Sequence, residues 1–273
     1  MNTARSRSIV LTLVLGMASC VFSVAQCNVP VPTKDAAAIS ALTQMVSVTG
    51  WNLQNLPADA TVSGSLTLYR SNGSTHARSI ALNAKGTAAL RVDTFDGDAR
   101  VSTLVVHDSS GAAWNSFGTS PTSPYTALAT RAYFLPFLTD LVQFADPAVS
   151  VSFVGDEVVG GVLTHKIQVN RLPDTNDIIC DLRAHINPVT VWINTDNGFP
   201  MQLQYSFYSA SPDSLGTIVR TLDGWQTVSG LAVPLHQSEY LNGQLQSDLT
   251  ISSVTLNVGL TDDIFDPASL IAR

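Results

Sequence analysis

Val189-Thr190-Val191-Trp192-Ile193-Asn194-Thr195-Asp196-Asn197-Gly198-Phe199-Pro200-Met201-Gln202-Leu203-Gln204-Tyr205-Ser206-Phe207 is the stretch that decides the fold. Val189, Val191 and Ile193 fall on one face of an extended chain over Pro188–Asn194. Asp196-Asn197-Gly198 then supplies turn residues, with Gly198 free to take a left-handed conformation. Over Pro200–Tyr208, Met201, Leu203, Tyr205 and Phe207 share one face, and Gln202, Gln204 and Ser206 share the other. A period of two with one dry and one wet face is that of an antiparallel strand half-buried on a core.

The pattern continues in both directions. Downstream, Thr217–Thr227, Ala232–Tyr240 and Gln244–Asn257 alternate, with turns at Gly230 and Asn242-Gly243. Pro234 marks an edge or an irregularity in its strand. Upstream, a pair of strands begins near Ser150, punctuated by Gly155, Gly160 and Gly161, with Gly161–Val169 as its second member. Val62–Tyr69 puts Val62, Leu66 and Leu68 on one face, Asn72-Gly73 turns the chain, and His76–Leu82, Thr87–Phe95, Arg100–Val106 and Gly111–Phe117 follow as strands. Two segments break the rhythm. Asp35 caps a helix over Ala36–Val48, whose Ile39, Leu42, Met45 and Val46 form an apolar face and which Gly50 stops. Trp51 packs against its end. Residues 125–144 are helical and strongly apolar, with Phe134, Phe137, Leu138 and Leu141, and Pro136 kinks or splits them. The pattern contains about ten or eleven strands, too many for an open sheet that does not curl or close. The fold class is α+β: one mostly antiparallel, curved sheet, with an N-terminal helix and a central helical insertion on the concave side.

Of the 273 residues, only 13% are charged, and the formal net charge is −7. An average soluble domain has roughly 25% charged residues. A disordered acidic chain would combine high charge with few apolar residues, whereas 45% of this chain is hydrophobic. A nucleic-acid binder needs clustered Lys and Arg, which are absent. Residues 1–25 have the order of an export signal: Arg5 and Arg7, an apolar run from Ile9 to Ala18, then Ser23-Val24-Ala25 before Gln26. Cleavage there leaves one domain over residues 26–273, periplasmic or secreted. Leu15-Gly16-Met17-Ala18-Ser19-Cys20 is also similar to a bacterial lipobox, so a lipid anchor on Cys20 is the alternative to release and the only membrane contact expected. Cys27 and Cys180 are either a disulfide pair of an oxidising compartment or two tolerated thiols.

Little in the chain carries chemistry. His76, His107, His165, His185 and His236 stand apart, without metal-ligand spacing. There is no G-x-S-x-G and no phosphate-cradling glycine loop. Asp93, Asp96 and Asp98 lack the register of a calcium loop and read as a solvated hairpin, Asp156-Glu157 as a turn beside Gly155, and Asp262, Asp263 and Asp266 as a polar tail in which Phe265 docks. No cofactor is implied and the expectation is no enzyme. A curved sheet with helices inside it makes an apolar concavity, the usual form of a small-molecule site. Its lining candidates are Leu66, Leu68, Phe134, Phe137, Leu138, Met201, Leu203, Tyr205 and Phe207, which serve equally well as core filling.

The order of elements resembles the bacterial lipoprotein-carrier superfamily (LolA/LolB-like, with the RseB/LppX-like fold). Four segments carry the resemblance. Asn194 to Pro200 is similar to the family's D-x-x-x-G-x-P turn, with Asn194 in place of Asp. Gly230-Leu231-Ala232-Val233-Pro234 is similar to a later strand, and Val254, Asn257, Leu260, Asp262 and Phe265 to the closing segment. Gly155 to Gly161 is similar to a G-x-E-x-V-x-G hairpin. The resemblance implies an unclosed β-barrel with a helical lid over an apolar cavity. The ligand it implies is an acyl chain, another apolar small molecule or a lipidated protein, and the partners are lipoproteins or other envelope proteins. The family's lipid-holding arginine lies on an early strand; Arg70 and Arg91 lie on early strands here, in unmatched surroundings. A filled-barrel envelope scaffold without ligand is the alternative function, and a hydrolase a more distant one.

Overall fold

The computed structural model describes residues 29–86, 88–123, 127, 141–174, 180–208 and 215–271, with the backbone alone for 181, 182, 207, 208 and 271. Thirteen strands form one sheet. They are β1 (Asp59–Tyr69), β2 (Thr75–Lys85), β3 (Ala89–Asp96), β4 (Ala99–His107), β5 (Ser110–Asn115), β6 (Gly118–Pro121), β7 (Val149–Val159), β8 (Val162–Arg171), β9 (Val189–Asn194), β10 (Pro200–Tyr208), β11 (Leu215–Val228), β12 (Leu231–Leu241) and β13 (Gln244–Leu256). The order across the sheet is β6-β5-β4-β3-β2-β1-β13-β12-β11-β10-β9-β8-β7, and every neighbouring pair is antiparallel. The chain steps outward from β1 to one edge, crosses to the opposite edge at β7, and steps back until β13 pairs with β1. The sheet is not closed, since β6 and β7 remain its edges.

The thirteen strands exceed the ten or eleven expected, and β6 is the one over which the sequence pattern predicts no strand. Ser116-Phe117 is a turn, and Gly118–Pro121 returns along β5. Pro121 hid this strand in the sequence. Proline is tolerated here because β6 is an edge strand and Pro121 is its last residue. Pro234 behaves otherwise: it sits buried in β12, inside the sheet, opposite Trp225. The irregularity falls on the partner strand, where Gly224 takes φ +64°. Asp156-Glu157 is not a turn. Both residues belong to β7; the register shifts at Val154, between Phe153 and Gly155, Gly155 takes φ +145°, and the turn is Gly160-Gly161.

Helix α1 (Ala36–Thr49) begins where Asp35 Oδ1 accepts from the N–H groups of Ala37 and Ala38, at 2.8 and 3.1 Å. It ends where left-handed Gly50 donates to the Val46 carbonyl. Its buried residues are Ala38, Ala41, Leu42, Met45 and Thr49; of the predicted face Leu42 and Met45 are buried, and Ile39 and Val46 pack partly buried against the same cluster. They pack on Val151, Ile167, Val191, Ile193 and Leu203, which defines the inner face of the sheet. A second inner cluster under Trp51 joins Ala60, Val62, Leu82, Leu90, Leu231, Val233 and Ile251. Most of the predicted central helical insertion, with Phe134, Phe137 and Leu138, lies outside the described residues. Its end is described: Leu141 joins the α1 cluster and Val142 the Trp51 cluster, so the crossing segment reaches the inner face between the two.

The outer face has its own cover. After β13 the chain runs back over β1 to β6 through a 3-10 turn (Asp262–Phe265) and the short helix α3 (Ala268–Ile271). Asp59 holds the start of this strap, accepting from the N–H groups of Val258, Gly259 and Leu260. Phe265 is buried, as expected, and Leu270 closes over Val105 and Ala112.

Candidate functional site

The inner face is graded along the strands. At one end α1 terminates, and an added Cβ on Gly50 would lie 2.5 Å from the Gly230 carbonyl oxygen. Trp51 follows immediately, and its indole N–H donates to the Ala232 carbonyl at 2.6 Å. Around it the inward residues are wholly apolar, so this end of the concavity is filled.

Toward the opposite end the inward positions become charged. Register places Leu203 opposite Arg220, Arg220 opposite Glu239, and Glu239 opposite Ser247. All therefore share a face with Leu222 and Leu249, which belong to the inner clusters. Arg220 is only 4% exposed. Its guanidinium donates to Glu239 and to the Tyr205 hydroxyl, the latter at 3.2 Å, and stacks 5.9 Å from the Tyr205 ring. Across the seam, Leu66 pairs with Arg78, which bridges to Asp96 at 2.7 Å. Both arginines are paired with acids, as a low-dielectric face demands.

Sequence reading missed Arg220 and Glu239. The signal was present: Ile218, Arg220 and Leu222 share a parity, so one charged residue sits on an apolar face. Arg70 and Arg91, the two early-strand arginines, do not face inward. Arg70 lies in the β1–β2 turn. Arg91 lies on the outer face, bound to Asp93 and to the Ile264 carbonyl of the strap.

Of the predicted lining residues, Leu66 belongs to the Trp51 cluster, and Leu203 and Tyr205 to the α1 cluster. Leu68 is 38% exposed at the charged end of β1, and Met201 is half-buried beside the register shift that opens β10. Phe207 is a strand residue whose side chain lies outside the description, as do Phe134, Phe137 and Leu138. Cys180 opens helix α2 (Cys180–Ile186) and is disulfide-bonded, while Cys20 and Cys27 lie outside the described residues.

The histidines do not converge. His165 meets Asp156 at 2.7 Å, and His236 on the outer face lies between Asp223 and Asp248, at 2.9 and 3.0 Å. Hydrogen bonding to Asp223 raises the His236 pKa above its ordinary value; burial opposes this and Asp248 adds to it. Asp93 accepts from Arg91 and Thr103; burial pushes its carboxyl pKa up, but these bonds and the charges of Arg91 and Arg100 bring it below the ordinary value. Glu157 is held low by the Lys166 ammonium and the Trp192 indole N–H. Among the described residues no group of three or more His, Cys, Asp or Glu is placed to hold a metal ion.

The turn that opened the sequence reading is built as its residues require. Asn194 Oδ1 accepts from the N–H groups of Asp196 and Asn197, the work an aspartate would do there, and Gly198 takes φ +76° against the Gln44 side chain of α1.

No known family profile matches the chain, and no curated protein matches it by sequence. Solved structures do match its fold. A DUF1329 family protein from Desulfovibrio piger aligns with TM-score 0.56 at 12% identity, over 85% of this chain and 98% of that one. A putative outer membrane lipoprotein-sorting protein domain from Vibrio parahaemolyticus aligns with TM-score 0.55 at 11% identity, over 85% and 99%. A LolA superfamily protein from Nitrosomonas europaea aligns with TM-score 0.54 at 14% identity, over 85% and 99%. At these identities the likeness is one of architecture: the chain has the lipoprotein-carrier fold, an unclosed antiparallel half-barrel with an N-terminal helix laid on its inner face.

Proposed function

We propose that this is an exported, non-catalytic envelope protein that holds an acyl chain, a lipid or a lipidated protein against the inner face of its half-barrel. The observation that supports this most is the graded inner face. Apolar clusters under α1 and Trp51 give way to the paired arginines Arg78 and Arg220, an arrangement suited to a ligand with an apolar body and a polar end. The residues this reading assigns to the ligand are Leu66, Leu68, Met201, Leu203, Tyr205 and Phe207, together with Phe134, Phe137 and Leu138. The fold shared with a lipoprotein-sorting protein domain and a LolA superfamily protein points the same way.

A second reading is a scaffold with a filled barrel. The burial of Leu66, Leu203 and Tyr205, each at most 9% exposed, favours it. Purification from the native host followed by lipid mass spectrometry separates the two. A stoichiometric acyl species supports the carrier; a clean extract from a folded sample overturns it. Broad esterase and glycosidase assays test the absence of catalysis.

Residues 1–25 serve as the export signal and 26–273 as the single domain, with Cys20 as the alternative lipid anchor. Among the described residues no helix is long and apolar enough to cross a membrane. Cys27 is the partner of Cys180. Lys34 pairs in parallel with Val151, so the chain upstream runs past Ser150 toward the end of the sheet where β8 leads to α2. Peptide mapping without reduction tests the pairing: a Cys27–Cys180 peptide is expected, and a Cys20–Cys180 peptide would refute it.

A further inference from the structure

Phe117 is 98% exposed, the most exposed large apolar side chain among the described residues. It occupies an ordered turn. Its N–H donates to Asn115 Oδ1 at 2.9 Å, Asn115 pairs with Gly118, and Gly118 takes φ +120°. No charged residue falls between Asp108 and Arg131. The same hairpin carries Trp114, with the Arg100 guanidinium 5.3 Å from its ring.

The register gives the height of this turn. Arg78 of β2 bridges Asp96 at the end of β3, three residues in from Thr75, where β2 begins. Likewise Asn115 at the end of β5 pairs with Ser102, three residues in from Ala99, where β4 begins. Each hairpin is thus set back by about 10 Å along the strands for about 10 Å across them. A barrel tilt of about 45° produces that stagger. The turns at 70–74, 97–98 and 116–117 therefore stand level on one rim. It is the rim opposite Trp51, and exposed Leu68 and Leu215 lie at the same end.

We propose that Phe117 is a membrane anchor whose ring inserts into the interface of a zwitterionic bilayer and seats this rim on lipid. Aromatic rings favour the headgroup level, and an uncharged hairpin carries no ion to desolvate on entry. The net charge of −7 turns the chain away from anionic surfaces, and the rim offers no basic cluster to offset it: Arg78 is paired with Asp96, Arg100 lies 3.6 Å from Asp93, and Arg70 and Asp98 cancel in charge. The purpose of this contact, presenting the charged end of the inner face to lipid, rests on the carrier reading; the contact itself does not.

The test is flotation of the exported chain, carrying Cys20→Ser to remove any acyl anchor, with phosphatidylcholine vesicles. Wild type in that background is expected to float. Phe117→Ser is expected to lower partitioning at least about tenfold, the scale of burying one phenyl ring, with an unchanged unfolding midpoint. Phe117→Trp is expected to restore it with blue-shifted indole emission. Leu53→Ser, exposed beside Trp51, leaves binding unchanged. Failure to float, equal binding by Phe117→Ser, or binding confined to phosphatidylglycerol vesicles overturns the proposal. Flotation with a lipid-free native extract would sink the carrier reading alone, and bound lipid without flotation would sink this one alone.

Discussion

The indole N–H of Trp51 donates to the carbonyl of Ala232, 181 residues away, at 2.6 Å. That bond joins the end of α1 to β12, and the ring fills the inner face among Ala60, Val62, Leu231 and Val233. Trp51→Ala should destabilise the fold by about 3–5 kcal/mol through the cavity it leaves. Trp51→Phe should cost less, about 1–3 kcal/mol, mainly by stranding the carbonyl. Urea unfolding monitored by circular dichroism measures both; a loss under about 1 kcal/mol for Trp51→Ala would show that the plug is not structural.

Arg220 and Glu239 meet on the inner face with Tyr205. Replacing one partner removes a charge-assisted bond in a low-dielectric site, so Glu239→Leu should cost about 1–3 kcal/mol. Adding Arg220→Met to it should recover part of that loss, because two apolar groups leave no charge unpaired. A double-mutant cycle by chemical denaturation checks the sign. Strictly additive losses would mean that the two side chains are not coupled.

His236 links β11, β12 and β13 through Asp223 and Asp248. Its folded pKa is raised above the ordinary 6.5, chiefly by the bond to Asp223. The protonated form therefore stabilises the fold fully below 6.5, and the contribution is lost as pH rises from there through the folded value. The stability difference between wild type and His236→Asn should shrink across that window. A difference that stays constant between about pH 5.5 and pH 9 would remove His236 as the source.

Asp59 accepts three backbone N–H groups from Val258, Gly259 and Leu260, and is 3% exposed. Asp59→Ala should release the start of the C-terminal strap at a cost of roughly 1–3 kcal/mol. Limited proteolysis should then cut within residues 257–267 before the sheet unfolds. Cleavage elsewhere first would place the weak point outside the strap.

The sequence determined the local steps of the sheet by itself. Asn72-Gly73, Asn242-Gly243 and the Asn194-to-Pro200 turn are written in backbone preference, and each produces the expected hairpin. Alternation also put Leu66, Leu203 and Tyr205 on dry faces, since parity is fixed within a strand. Tertiary structure decided the rest. The pairing of Ala60 with Leu256 joins the first strand to the last, and no local signal can specify a partner so far along the chain. The inward place of Arg220 depends on Glu239 arriving from the next strand to neutralise it. The docking of Phe265 and Leu270 depends on an outer groove that exists only once β1 to β6 are assembled. Turns follow from the torsions of a few consecutive residues; seams, ion pairs and docked tails follow from which surfaces remain to be buried after those turns have formed.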